Sequence, residues 1–190
     1  LRGFPSEHHT LSRLETRPEA ALDVETLDAL EPVRTKGQLA DVYLEFANSE
    51  AAIRAYLIME AAVRAGSLSN REVEAIKLFI SQRNACDYCL SVHTMKATAA
   101  GLEKGDQLLV RQGKSIGDKR IDAIIDILQT FGAKPGPLSN EQLSQARDAG
   151  LSDENLVDMT MAASTIFFTN ITNHINDTLS PLSPAPSIDG

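Results

Sequence analysis

The chain has no tryptophan in its 190 residues, aromatic residues make up only 5%, and there are just two cysteines. Two thiols cannot build the disulfide framework that a small exported domain relies on, so the pair has some other use. Basic residues are also scarce: 18 Lys and Arg stand against 26 Asp and Glu, a formal net charge of −8. Nucleic acid and anionic membrane surfaces both need a basic face, so neither is an expected partner. No apolar run reaches the roughly 20 residues that span a bilayer, and Lys77 interrupts the most apolar early stretch. The start, Leu1-Arg2-Gly3-Phe4-Pro5, leads into polar sequence rather than an apolar core. No secretory signal is read there, and a cytoplasmic, reducing compartment is expected. No strand-period run of any length occurs, which disfavours an α/β fold.

What remains is helical punctuation. Leu39, Val42, Tyr43 and Phe46 repeat at helical spacing. A helix over 49–65 should stop at Gly66, and Ser69 with Glu72 forms a capping-box pattern that opens a helix over 70–84. That helix is apolar almost all round and should lie at the centre of a bundle. Asn84-Ala85 breaks it, and a helix over 86–100 should end at Gly101. Further helices are expected over 117–131, from Ser139 to Gly150, and from Ser152 to Leu179, where no Gly or Pro intervenes. The fold class is all-α, a bundle of about seven to nine helices. Residues 1–35 read as an arm with one short helix, 36–179 as the helical domain, and 180–190 as a Pro/Ser-rich tail, mobile unless a partner holds it. Leu68-Ser69-Asn70 recurs as Leu138-Ser139-Asn140, a hint of internal duplication in which only the first copy carries cysteine.

The chemistry concentrates in Cys86-Asp87-Tyr88-Cys89 and His93. On a helix Cys86, Cys89 and His93 fall at i, i+3 and i+7, on one face. A thiol attacks as its thiolate, so it needs help near neutrality. A helix start at Cys86 would stabilise that sulfur through backbone N–H groups. His93, one turn after Cys89, would take the Cys89 proton. The histidine spacing favours Cys89 as the attacking thiol and Cys86 as the resolving one. Glu74, on the preceding helix, can orient His93; its bland alternative is a surface pairing with Lys77. Ser81, Asn84 and His174 read as cap or interface polar residues. Zinc is the sharper rival use of Cys86, Cys89 and His93, with a fourth ligand needed from His174, His8, His9 or a carboxylate.

Residues 68 to 101 together resemble the core of the alkylhydroperoxidase D-like branch of the carboxymuconolactone decarboxylase superfamily. The shared pattern is a glutamate, a Cys-x-x-Cys and a histidine four residues on; Glu74 stands 12 residues before Cys86, the spacing of that family. The resemblance implies an all-helical thiol peroxidase or disulfide reductase without metal or other cofactor. Glu74 and His93 become its proton relay, Cys89 the attacking thiol and Cys86 the resolving thiol. It further implies a hydroperoxide substrate, a thiol or protein electron donor, and a homo-oligomer, trimeric or hexameric, with a dimer as the smaller alternative. One departure is Tyr88, where alkylhydroperoxidase D proper has a histidine. Two other functions stay open: a redox-responsive or zinc-stabilised interaction protein, and an acid–base enzyme acting on a small organic acid.

Overall fold

A computed structural model describes residues 13–133, 136–180 and 182–188. Among these, nine α-helices occur and no strand: α1 Val24–Leu30, α2 Asp41–Phe46, α3 Glu50–Ala65, α4 Asn70–Arg83, α5 Asp87–Ala99, α6 Lys104–Arg111, α7 Lys119–Ala133, α8 Asn140–Asp148 and α9 Asp153–Asn176. The expected all-α bundle is what forms.

Helix α4 is the axis. Its start is the capping box expected at Ser69 and Glu72, in which each side chain meets the other residue's backbone N–H. Val73, Ala75, Ile76, Leu78 and Phe79 are buried on several faces, so α5, α6, α7 and α9 can all pack against it. Full burial of one such aliphatic side chain stabilises by about 1.5–3 kcal/mol, so the helix is held from all sides. Val73 and Ile76 join a core with Val63, Ile124, Ile127 and Met159. Leu78 and Phe79 join a second with Leu90, Val110 and Ile121. Even Lys77 is buried, because its ammonium donates to Glu60 Oε1 on α3 at 2.6 Å.

Three features differ from expectation. Helix α6 was not legible in the sequence: it is two turns long, its N-cap Glu103 makes no side-chain cap bond, and Gly105 lies inside it. Helix α9 ends at Asn176, three residues before Leu179, because Asp177 turns into the left-handed region (φ +55°). That end is pinned by the segment before α1: Leu14 N–H donates to Asn176 Oδ1 at 2.7 Å, and Arg13 pairs with Asp177 at 2.8 Å. The tail is held by the chain itself. Arg111 donates to the Pro186 carbonyl at 2.7 Å, Gln112 to the Ile188 carbonyl at 2.8 Å, and Ala185 packs against the second core.

Candidate active site

The turn between α4 and α5 places the cysteines. Cys86 N–H donates to the Ser81 carbonyl and Ala85 N–H to the Gln82 carbonyl. This is a Schellman ending, which needs a left-handed residue one position before Cys86. Ala85 fills that position at φ +52°, where glycine is the usual occupant. The residue closing α4 is at the same time the N-cap of α5. Cys86 Sγ accepts the Cys89 backbone N–H at 3.4 Å, as a serine oxygen would. The expected aid to Cys86 is therefore present: its sulfur sits at the positive end of a helix dipole.

Cys86 and Cys89 are joined as a disulfide, with Cα atoms 5.3 Å apart. Both are almost fully buried and pack with Ile166, Ile80 and Tyr88. Burial, with the nearby Tyr43, Glu45 and Asp41, pushes the Tyr88 phenol up to about 12, so it stays protonated.

Glu74 and His93 meet. His93 Nδ1 and Glu74 Oε2 are 2.7 Å apart; His93 is buried and Glu74 partly so. Glu74 is thus not the partner of Lys77, which belongs to Glu60. Burial pushes the His93 imidazole below its usual value, against the opposing pull of Glu74, and the cations Lys77 and Lys96 push the same way as burial. A neutral imidazole beside a carboxylate places its one proton on Nδ1, so Nδ1–H donates to Glu74. Nε2 then carries a lone pair, the form a base needs.

Helix α9 grips this turn with three side chains, of which the sequence connects only His174 to the cysteines, as a possible zinc ligand. Asn170 accepts from Asn84 at 2.9 Å and donates to Ser81 Oγ at 3.3 Å. His174 Nε2–H donates to the Asn84 carbonyl at 2.6 Å, which makes it a clamp rather than a metal ligand. Asn173 Nδ2 donates to Cys89 Sγ at 3.4 Å, while its Oδ1 is buried without a hydrogen-bond partner. No group of three or more potential metal ligands gathers among the described residues; His8 and His9 lie outside them.

A cavity of about 660 Å³ opens beside the turn, lined by Phe79, Ile80, Leu128, Met159, Phe167 and Phe168 among others. Ile80 is its wall toward the sulfurs. Phe167, Ile171 and Ile175 are each about half exposed at four-residue spacing, an apolar stripe along α9. No described helix is long and apolar enough to cross a membrane.

Comparison with known proteins adds the following. Residues 50–116, from the start of α3 to just past α6, match the Carboxymuconolactone decarboxylase family, and all four predicted site residues fall inside that segment. A peroxidase-related protein of Ralstonia eutropha JMP134 with an alkylhydroperoxidase AhpD core is similar in fold, with a TM-score of 0.76, 20% identity and 95% of each chain covered. A peroxidase-related protein of Silicibacter sp. TM1040 gives a TM-score of 0.72 at 17% identity, over 91% of each chain. The debrominase Bmp8, in a cysteine-to-alanine variant bound to 2,3,4-tribromopyrrole, gives 0.67 at 16% identity, over 93% of this chain and 95% of that one. No curated protein matches. The fold is alkylhydroperoxidase D-like.

Proposed function

From its likeness to the alkylhydroperoxidase D-like branch of the carboxymuconolactone decarboxylase superfamily, we propose that the chain is a thiol-dependent peroxidase that reduces alkyl hydroperoxides. The observation that carries this reading is a paired Cys86–Cys89 one helical turn from a largely buried Glu74–His93 pair. In the reduced protein, His93 Nε2 takes the Cys89 proton and Glu74 holds the imidazole in place. The Cys89 thiolate attacks the terminal oxygen of the hydroperoxide, the O–O bond breaks, and Cys89 becomes a sulfenic acid. The leaving alkoxide takes the proton from His93 and departs as the alcohol. The Cys86 thiol then attacks the sulfenic sulfur and expels water, forming the disulfide. A donor thiol attacks Cys89, and Cys86 is suited to leave because its thiolate sits at the helix start; a second donor thiol then displaces Cys89 from the mixed disulfide, leaving both cysteines reduced and the donor oxidised to its disulfide. The exposed apolar stripe on α9 supports assembly into a homo-oligomer.

A second reading follows from the cavity beside the turn and the likeness to a debrominase. A thiolate can take bromine from a brominated ring, with His93 protonating the ring carbon. Cys86 then displaces bromide as the disulfide forms. One experiment separates the two. The reduced protein is given an alkyl hydroperoxide or a brominated pyrrole, each with a dithiol donor. Peroxide consumption without bromide release supports the peroxidase; bromide release without peroxide consumption supports the second reading. Neither activity removes both.

A further inference from the structure

Asn173 is 4% exposed, on a different helix from the cysteines and 84 residues from Cys89. Its orientation is decided by its neighbour. A disulfide sulfur carries no hydrogen, so the amide group facing Cys89 at 3.4 Å has to be the Nδ2–H donor. Oδ1 is then the buried atom without a partner. A buried carbonyl oxygen left unpaired costs free energy, and such atoms are rare enough in folded proteins to need a cause. Here the unpaired atom belongs to the same amide group that meets Cys89 Sγ.

We propose that Asn173 is a further catalytic residue, whose amide holds both atoms of the sulfur–oxygen bond as it forms. This rests on the peroxidase reading above. Nδ2–H donates to the Cys89 thiolate and steadies its charge. Oδ1, beside it on the same planar group, accepts the O–H of the hydroperoxide's terminal oxygen. That oxygen keeps its hydrogen through the attack: sulfur supplies the electron pair, the O–O bond breaks, and the product on Cys89 is S–O–H. The same Oδ1 therefore accepts from the hydroperoxide before the step and from the sulfenic acid after it. The contact also distinguishes the two sulfurs. Cys86 is served by a backbone N–H, Cys89 by an amide with an acceptor to spare, so the oxygen is delivered to Cys89. A hydroperoxide, which has an O–H, fits this site; a dialkyl peroxide, which has none, does not.

The test uses Cys86→Ser protein, where Cys89 is the only thiol. Two rates are measured in it with and without Asn173→Leu: sulfenic acid formation by tert-butyl hydroperoxide, trapped with dimedone, and alkylation by iodoacetamide. Alkylation reads the thiolate alone; peroxide reads the thiolate and the held oxygen. The expected result is a peroxide rate that falls about tenfold further than the alkylation rate, the size of one well-placed hydrogen bond. Equal losses overturn the inference and leave the peroxidase reading intact, whereas no sulfenic acid in the protein with Asn173 in place overturns both. If Asn173→Leu fails to fold, Asn173→Asp serves instead. It keeps the acceptor and loses the donor, so alkylation should slow while the ratio of the two rates is unchanged. An unchanged alkylation rate in Asn173→Asp overturns the inference.

Discussion

Two helical pairs in this chain open on the same three residues. Leu68-Ser69-Asn70 leads into α4 and α5, and Leu138-Ser139-Asn140 into α8 and α9. Both begin with a complete capping box, Ser69 with Glu72 and Ser139 with Gln142. After the box they diverge. α4 buries side chains all round, whereas Ala146 is the buried residue of α8. The turns diverge too. In the second pair Gly150 takes the left-handed position (φ +88°), Leu151 follows, and Ser152 caps α9. In the first, Ala85 takes that position and Cys86 caps α5 at once. The connection is one residue shorter, so a thiol occupies the place where the second pair has a hydroxyl. Identical local signals start both pairs, while the buried face and the tighter turn distinguish the one that carries the cysteine pair. The second pair is not idle: its α9 supplies Asn170, Asn173 and His174 to the first.

The largest effect that sharpens this contrast is on chemistry. Cys89→Ser should abolish peroxide consumption, and Cys86→Ser should permit one attack and then stall as a sulfenic acid. Glu74→Gln and His93→Gln should each slow thiolate attack by roughly 10²–10⁴-fold, and the double mutant should lose little more than either. Rapid-mixing measurements of the first turnover check all five variants. Additive losses would place Glu74 outside the relay.

Next in size is the packing difference. Ile76→Ala on α4, at a position with no exposure, should cost about 2–5 kcal/mol. Leu143→Ala on α8, 39% exposed, should cost less than about 1 kcal/mol. Denaturant unfolding of both variants reads the contrast directly, and equal costs would break it.

A smaller effect concerns pH. The folded His93 imidazole titrates below its usual value near 6.5 because it is buried. As pH falls below about 6.5, the unfolded chain takes up a proton here that the folded chain resists. The stability linked to this group is therefore complete above that pH and declines as pH falls toward the folded value. His93→Gln should flatten that part of the stability–pH curve, measured by denaturant midpoints from neutral to mildly acid pH. The smallest effect is at the turns. Gly150→Ala should cost about 1 kcal/mol from backbone strain alone, since a Cβ there would lie 3.8 Å from its nearest neighbour. Ala85→Gly should instead stabilise, by about 0.5 kcal/mol, as left-handed strain relieved exceeds the added chain entropy. Thermal unfolding resolves the opposite signs.

Much of the fold was legible because its signals are local. Ser–Glu and Ser–Gln boxes, Gly101 and Gly150, and the apolar faces all act within a few residues. Helix α6 was not, since two turns without a cap bond leave little to read. The tail differs for a related reason: its Pro/Ser composition predicts mobility, yet its carbonyls satisfy Arg111 at the end of α6 and Gln112 just after it. The candidate site divides along the same line. Cys86, Cys89 and His93 lie within eight residues of each other, so helical periodicity alone places them on one face. Glu74 needed a guess about how α5 returns against α4, and the pair with His93 forms. Asn173 carried no signal in spacing, because the contact to Cys89 exists only once α9 has docked.

The central claim is that Cys86 and Cys89 exchange electrons with a hydroperoxide as a pair. Its most direct test is a thiol count on fully reduced protein before and after one equivalent of an alkyl hydroperoxide, with the product mapped by mass spectrometry. The account predicts a fall from two thiols to none per chain, one alcohol formed per chain, and a single Cys86–Cys89 disulfide. Two thiols still free in folded protein after the peroxide is added, or a disulfide joining different chains, would contradict it.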